Sequence, residues 1–317
     1  MKHYDIAAIG ELNVDIILNG IESEPEIGKE KFASQMTVTL GSSTAIFAAN
    51  AASLGSKVCF AGMIGRDSFG SLVRKSLNER GVDTTFLVEG DTPTGATICM
   101  SYGEDRANLT YQGAMDVMTF DDIPPEVFIQ SRHIHLSSLF MQSGLLKDVH
   151  KILDAAAAAG ATVSLDTQWD PVEKWALDYK TVLPKVTVFM PNEKELQALT
   201  GTSNLEDAIA AVTPYLGRVM LLKCGSEGSM LVWPDGTRKT LPAFLNKDVV
   251  DAIGAGDSCN AGFVSAFVKG LPLEECQRTG NLTGAVNTTA AGGTGAFTSI
   301  EAVRNTCSKR FGQEIKL

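Results

Sequence analysis

Short apolar runs rich in β-branched residues alternate along the chain with stretches whose apolar residues recur at helical spacing. Residues 4–9 predict a strand. Residues 42–54, rich in small side chains and stopped by Gly55, predict a helix. Residues 57–61 and 68–80 repeat the pair, with Gly81 as the stop. Further strands are predicted at 132–136, 162–165, 186–189 and 219–223. Helices are predicted at 144–159, ended by Gly160, and at 193–200 and 205–216. Repeated β–α alternation with glycine stops predicts an α/β fold, a three-layer, mostly parallel sheet flanked by helices.

Two stretches break the alternation. Residues 12–40 and 94–112 have strand character with charged punctuation and no helical period. They predict two strand pairs that either meet as a small β lid outside the main sheet or form edge hairpins of that sheet. No internal repeat, low-complexity tract or Pro/Ser-rich linker divides the chain, so residues 1–317 are expected to form a single α/β unit.

Composition narrows the function classes. With 317 residues, 44% hydrophobic and 20% charged, the chain can bury a sizeable core without disulfides or a metal, and disorder is excluded. The formal net charge of −10 argues against nucleic acid as a main partner, although one site can still be locally positive. No window of eighteen apolar residues predicts a membrane span, and the N-terminus runs into a strand without a signal-like apolar region. The cysteines at 59, 99, 224, 259, 276 and 307 are scattered and never form C-x-x-C, which fits a reducing cytoplasm. His133 and His135 share one face of a predicted strand. With no third ligand nearby in sequence, packing outweighs metal binding as their reading.

The signatures of P-loop, protein-kinase, simple dinucleotide-binding and α/β-hydrolase sites are missing. The informative segment runs from Asp251 to Asp257, D-A-I-G-A-G-D, and a helical pattern follows it. Gly254, Ala255 and Gly256 remove bulk at the mouth of that helix, where backbone N–H groups and the helix dipole favour an oxyanion. Asp257 stands where a carboxylate can meet a hydroxyl beside such an anion. That pairing suits phosphoryl transfer to an alcohol, with the proton leaving late as the new bond forms.

The D-x-x-G-A-G-D string resembles the C-terminal signature of the ribokinase-like (PfkB) carbohydrate kinases. The resemblance makes Asp257 the catalytic base and Gly254, Ala255 and Gly256 the anion hole. Other matches follow in order over nearly the whole chain. Asn13 and Asp15, after the first strand, resemble the family's early substrate segment. Gly41, Ser42 and Ser43 stand at its N-terminal signature, where Ser42 replaces a second Gly and Ile46 replaces an Asn that touches the sugar. That contact is lost or moved, to Ser42, Ser43 or Thr44. Asn192 and Glu195 match the N-x-x-E motif that orders Mg²⁺ and its waters. Lys223, Gly225 and Gly228 resemble the turn under the nucleotide phosphates, and Asn281 falls near the adenine edge. Family members often hold a monovalent cation, such as K⁺, and the resemblance implies Asp251, Ile253, Ala291 and Gly293 as its ligands.

Asp166 to Asp170 also reach the carboxyl rim of a parallel sheet, where ligands gather. Gln168 and Asp170 stand in place of the Asn and Arg of fructokinase relatives. The expected function is therefore an ATP- and Mg²⁺-dependent kinase acting on a primary hydroxyl of a sugar or sugar acid. A homodimer through the lid is expected. Two alternatives stand beside it: a nucleoside (adenosine-type) kinase, and a non-catalytic sugar or nucleotide sensor. An apolar lid face with a stacking aromatic from Tyr102, Tyr111 or Phe140 would favour the nucleoside.

Overall fold

Parallel strands buried on both faces should be near-continuously apolar, and residues 58–65 form such a run, every one of them buried. In the computed structural model, which describes residues 2–102 and 105–317, this run is one of thirteen strands. They are β1 (Tyr4–Ile9), β2 (Asn13–Asn19), β3 (Gln35–Leu40), β4 (Val58–Gly65), β5 (Leu87–Gly90), β6 (Gly95–Tyr102) and β7 (Asp105–Tyr111). The rest are β8 (Ser131–Ser137), β9 (Thr162–Asp166), β10 (Val188–Phe189), β11 (Val219–Lys223), β12 (Ser229–Val232) and β13 (Arg238–Leu241). Nine form the main sheet in the order β13-β12-β11-β10-β9-β8-β1-β4-β5. It is parallel from β5 through β11, and β12 and β13 add an antiparallel edge.

Alternation along β1 splits the core into two layers. Ala7 and Ile9 pack with Leu136, Leu165 and the helix Val149–Ala158 on one face. Ile6 and Ala8 pack with Phe47, Phe60, Phe263 and Val286 on the other. The strand order reverses between β1 and β8, and a crevice at the carboxyl end of such a switch point is the usual ligand site of open α/β sheets.

The segments that break the alternation form a separate four-stranded sheet, β3-β2-β6-β7. Its two hairpins join through a parallel β2–β6 pairing, so they are not edges of the main sheet. Residues 103 and 104 of the expected lid lie outside the described residues. Register gives the small sheet two unlike faces. Val38, Ile16, Ile98 and Leu109 form one row across all four strands, and Leu40, Val14, Ala96 and Tyr111 another. On the opposite face Thr39, Asp15, Thr97 and Thr110 align.

Several expectations change in detail. The helix predicted over 144–159 is two, Ser143–Lys147 and Val149–Ala158. Asp148 between them turns its carboxylate to the Phe120 N–H, 3.2 Å away. The helix predicted over 205–216 stops as Leu205–Val212, and Pro214 continues the chain as a tighter turn. The β12–β13 hairpin, turning at Asp235-Gly236, went unpredicted. So did the helices Leu273–Asn287 and Ile300–Phe311. The first buries Gln277, Thr279, Asn281, Thr283 and Asn287, so it carries no clean apolar stripe to read.

Candidate active site

The signature helix is Ala255–Val268, and its mouth is built from backbone that a side chain would obstruct. Gly254 sits at φ 74°, and a β-carbon there would stand 2.6 Å from the Gly293 α-carbon. Ile46 packs on both glycines. The position where the family carries a sugar-binding Asn is thus a buried apolar support for the helix mouth. Asp257 lies in the first turn and is almost fully buried. Burial, then the neighbouring Asp166 carboxylate, pushes its pKa up to about 8 against the opposing pull of Lys223.

The centre of the charge network is Asp166, at the end of β9 and fully buried. One of its oxygens, Oδ2, accepts from Lys223 Nζ (2.6 Å), from Gln168 Nε2 (3.1 Å) and from Asn260 Nδ2. Lys223 ends β11, and its ammonium lies 3.7 Å from where a side chain at Gly256 would begin. Burial alone would lower the basicity of Lys223, but Asp166 and Glu195 raise it, so the ammonium stays charged beside the helix mouth. Gln168 Nε2 also donates to Asp257 Oδ1 at 2.9 Å. Sequence reasoning assigned roles to neither Asp166 nor Asn260. The available signals were the placement of Asp166 at the carboxyl rim, and the i, i+3 spacing that puts Asn260 on the face of Asp257.

The expected acceptor residues also gather. A side chain at Gly41 would begin 2.3 Å from Asp15 Oδ1 and 2.8 Å from Asn13 Oδ1. Asn13 Nδ2 donates to Thr97 Oγ1 at 2.8 Å and to Asp15 Oδ1 at 3.3 Å. Its Oδ1 is buried with no hydrogen-bond partner among the described residues. Ser42 has its hydroxyl committed, donating to the Glu11 carbonyl (2.6 Å) and accepting from Ala45 N–H (2.9 Å). Thr44 donates its hydroxyl and its N–H to the buried Glu11 carboxyl. Of the three residues proposed to take over the lost contact, Ser43 alone makes no side-chain hydrogen bond among the described residues. Glu11, at the switch point between β1 and β8, had gone unremarked. Burial raises its pKa and the Thr44 bonds oppose that shift.

Beside the helix mouth a cavity of about 450 Å³ is lined by Lys223, Gly225, Gly228, Ala255, Gly256 and Asn281, with Phe244, Leu245 and Val249 as apolar wall. The three apolar residues were not expected there, and Leu245 and Val249 are exposed. Asn281 organises the wall. It accepts from Ser229 Oγ (2.6 Å) and donates to the carbonyls of Leu241 (3.1 Å) and Pro242 (3.2 Å). Its amide is therefore already engaged. A broader depression of about 730 Å³ beside the helix Ser68–Glu79 includes none of these residues.

Asn192 and Glu195 form a reciprocal cap on the helix Glu193–Thr200: Glu195 N–H donates to Asn192 Oδ1 and Asn192 N–H to Glu195 Oε2, both at 2.9 Å. Burial, then Asp166, moves the Glu195 carboxyl up to about 7. Among the described residues no cluster of three metal-ligating side chains occurs. This donor set fits a cation that arrives with its own waters and phosphate oxygens better than one held in a protein cage. Asp251 joins two loops, accepting from Ile253 N–H and Gly292 N–H at 2.9 Å each. The Ile253 carbonyl accepts from Asn287 Nδ2 at 2.6 Å. His133 and His135 are buried and bridged by the Ser164 hydroxyl, 2.7 Å from each ring, so they are core residues.

The site's assembly agrees with what the chain is similar to. Residues 4–299 match the pfkB family carbohydrate kinase. A sugar kinase of Archaeoglobus fulgidus is 29% identical over 235 residues, 73% of this chain and 91% of the relative. An ATP-dependent ribose-1-phosphate kinase of Halopiger xanaduensis is 28% identical, covering 96% of this chain and 99% of the relative. The structure of Arabidopsis thaliana ribokinase complexed with ribose and ATP superposes with a TM-score of 0.79 at 25% identity, over 95% of this chain and 96% of that one. The chain belongs to the pfkB family of carbohydrate kinases, phosphotransferases that act on sugar hydroxyls.

Proposed function

We propose that Asp257 accepts the proton of a primary sugar hydroxyl while the γ-phosphoryl of ATP moves onto that oxygen. The acceptor is a sugar or sugar acid. The observation that carries this reading is the buried Asp257 carboxylate beside the Lys223 ammonium at one glycine-lined helix mouth. ATP in the apolar-walled cavity would bring its phosphates to Lys223 and the N–H groups of Gly254, Ala255 and Gly256. The O–P bond to ADP breaks as the bond to the acceptor forms, and the charge gathering on the moving group meets fixed positive partners. Mg²⁺ would neutralise phosphate charge, with Asn192 and Glu195 orienting its waters. A monovalent cation, K⁺ by family resemblance, would order the loops joined by Asp251, drawing on Ile253, Ala291 and Gly293.

The two faces of the small sheet support a sugar over a nucleoside. The face that carries Asp15 is lined by threonine hydroxyls. Tyr111 lies on the opposite, apolar face and is 55% exposed, and Tyr102 shares that face by register. Phe140 is buried in the core against Trp175. None of the three aromatics is placed to stack on a base over Asp15. The lid reading follows: this sheet would close its polar face over the acceptor and exclude water. Met36, Val38, Leu109 and Tyr111, exposed on the other face, support a homodimer through the lid. Six free cysteines support a reducing, cytoplasmic setting. No helix among the described residues is long and apolar enough to cross a membrane.

ATP turnover against a panel of pentoses, hexoses, keto-sugar acids and nucleosides tests this reading. Phosphorylation of a sugar or sugar acid is expected. Turnover confined to nucleosides would contradict the acceptor class, and none with any acceptor would favour the sensor. Asp15→Ala should raise the acceptor KM by roughly tenfold or more with a smaller change in kcat, because it removes hydrogen bonds made equally in ground and transition states. An unchanged KM would remove Asp15 from the site.

A further inference from the structure

Gln168 occupies a position that packing alone does not demand. Its backbone sits at φ 57°, a left-handed conformation costly for a residue with a β-carbon. The loop around it holds that conformation. Gln168 N–H donates to Asp166 Oδ1 at 3.3 Å. Asp170 then fixes the next turn by accepting from the N–H groups of Val172 (2.9 Å), Lys174 (2.9 Å) and Trp175 (2.7 Å). Trp169 packs edge-on against Trp175, with ring centres 5.1 Å apart. On this fixed frame the Gln168 amide spends both of its Nε2 hydrogens on carboxylates. One goes to Asp166 Oδ2 (3.1 Å) and one to Asp257 Oδ1 (2.9 Å).

We infer that Gln168 is a positioning residue for phosphoryl transfer, an amide clamp that fixes Asp257 through Oδ1 and leaves Oδ2 facing the acceptor hydroxyl. This rests on the reading of Asp257 as the base. Among the described residues Asp257 Oδ2 makes no hydrogen bond, so the two oxygens are unlike. Without the clamp the carboxylate could rotate about its terminal torsion, which is soft, and lose the alignment that proton transfer needs. The same bond favours the ionised carboxylate, opposing burial and the Asp166 charge. Asp166 thereby links the two halves of the site, holding Lys223 at the phosphates and, through Gln168, the carboxylate at the acceptor. Asn would not reach both carboxylates from this backbone, and an apolar side chain would donate to neither.

The test is Gln168→Met in the full chain, which keeps side-chain length and removes both donors. Expected are a fall in kcat of about 10- to 100-fold, an acceptor KM within about threefold of the parent, and an upward shift of the acidic limb of the kcat/KM pH profile. A kcat within about twofold of the parent with an unmoved limb would overturn the inference. So would a loss carried wholly by acceptor KM, which would make Gln168 a substrate contact. If Gln168→Met does not show the parent's ATP-induced melting shift, Gln168→Asn, an amide one methylene short, is judged by the same criteria. An active parent, silenced by Asp257→Asn but indifferent at 168, defeats this inference alone. A parent inactive with every acceptor defeats the kinase reading as well.

Discussion

Asp257→Asn should lower kcat by about 10²- to 10⁴-fold while acceptor and ATP KM stay within a few-fold of the parent. The amide keeps the shape of the carboxylate and can still accept from Gln168, so binding geometry persists. It cannot take a proton from the acceptor hydroxyl. Initial-rate kinetics on both substrates check this, and a variant with most of its kcat would remove Asp257 from the proton's path. The same substitution should stabilise the fold. The folded carboxyl has a pKa of about 8 against an ordinary 3.8. Between those values the folded state holds a proton that the unfolded state releases, so stability falls as pH rises across the window. The variant has no such charge to bury. It should melt above the parent at pH 8, and the gap should close towards pH 5.

Asp166→Ala should damage both fold and activity. Lys223, Asn260 and Gln168 all donate to this one buried carboxylate. Removing it leaves the Lys223 ammonium, 12% exposed, without its closest anionic partner. Breaking such a buried pair from one side costs about 3–5 kcal/mol, which predicts a fall in Tm of roughly 10 °C for a chain of this size. Turnover should drop with it, since both Lys223 at the phosphates and the clamp on Asp257 lose their anchor. Adding Lys223→Met should recover part of the lost Tm but none of the activity. A single variant melting within about 2 °C of the parent would show that Asp166 does not bear this charge.

Much of this was legible in the chain because each feature had a local physical cause. The segment 57–61 predicted a strand, which runs on to Gly65 with every residue from 58 to 65 buried. Gly254 to Asp257 announced a helix mouth with room for an anion. What stayed hidden was pairing between distant segments. Nothing near Asp166 in sequence reveals that Lys223 and Asn260, 57 and 94 residues away, donate to it. Ser42 and Thr44 read as free hydroxyls until Glu11, more than thirty residues upstream, claims them. Asn281 lines the cavity beside Lys223 and Gly256, but its amide is used on the protein's own backbone. The helix Leu273–Asn287 escaped because its buried face is largely polar. The small sheet could not be told from edge hairpins, because the parallel β2–β6 pairing that detaches it joins strands some eighty residues apart.

The pH dependence of kcat/KM for the phosphorylated acceptor tests the central claim most directly. A carboxyl raised to about 8 must lose its proton before it can act as a base. The parent should therefore gain tenfold in kcat/KM per pH unit up to a plateau that begins near pH 8. The residual activity of Asp257→Asn should lack that limb. A variant that keeps the limb would show that some group other than Asp257 receives the proton, and a parent profile flat from pH 6 to 9 would contradict the raised pKa of Asp257.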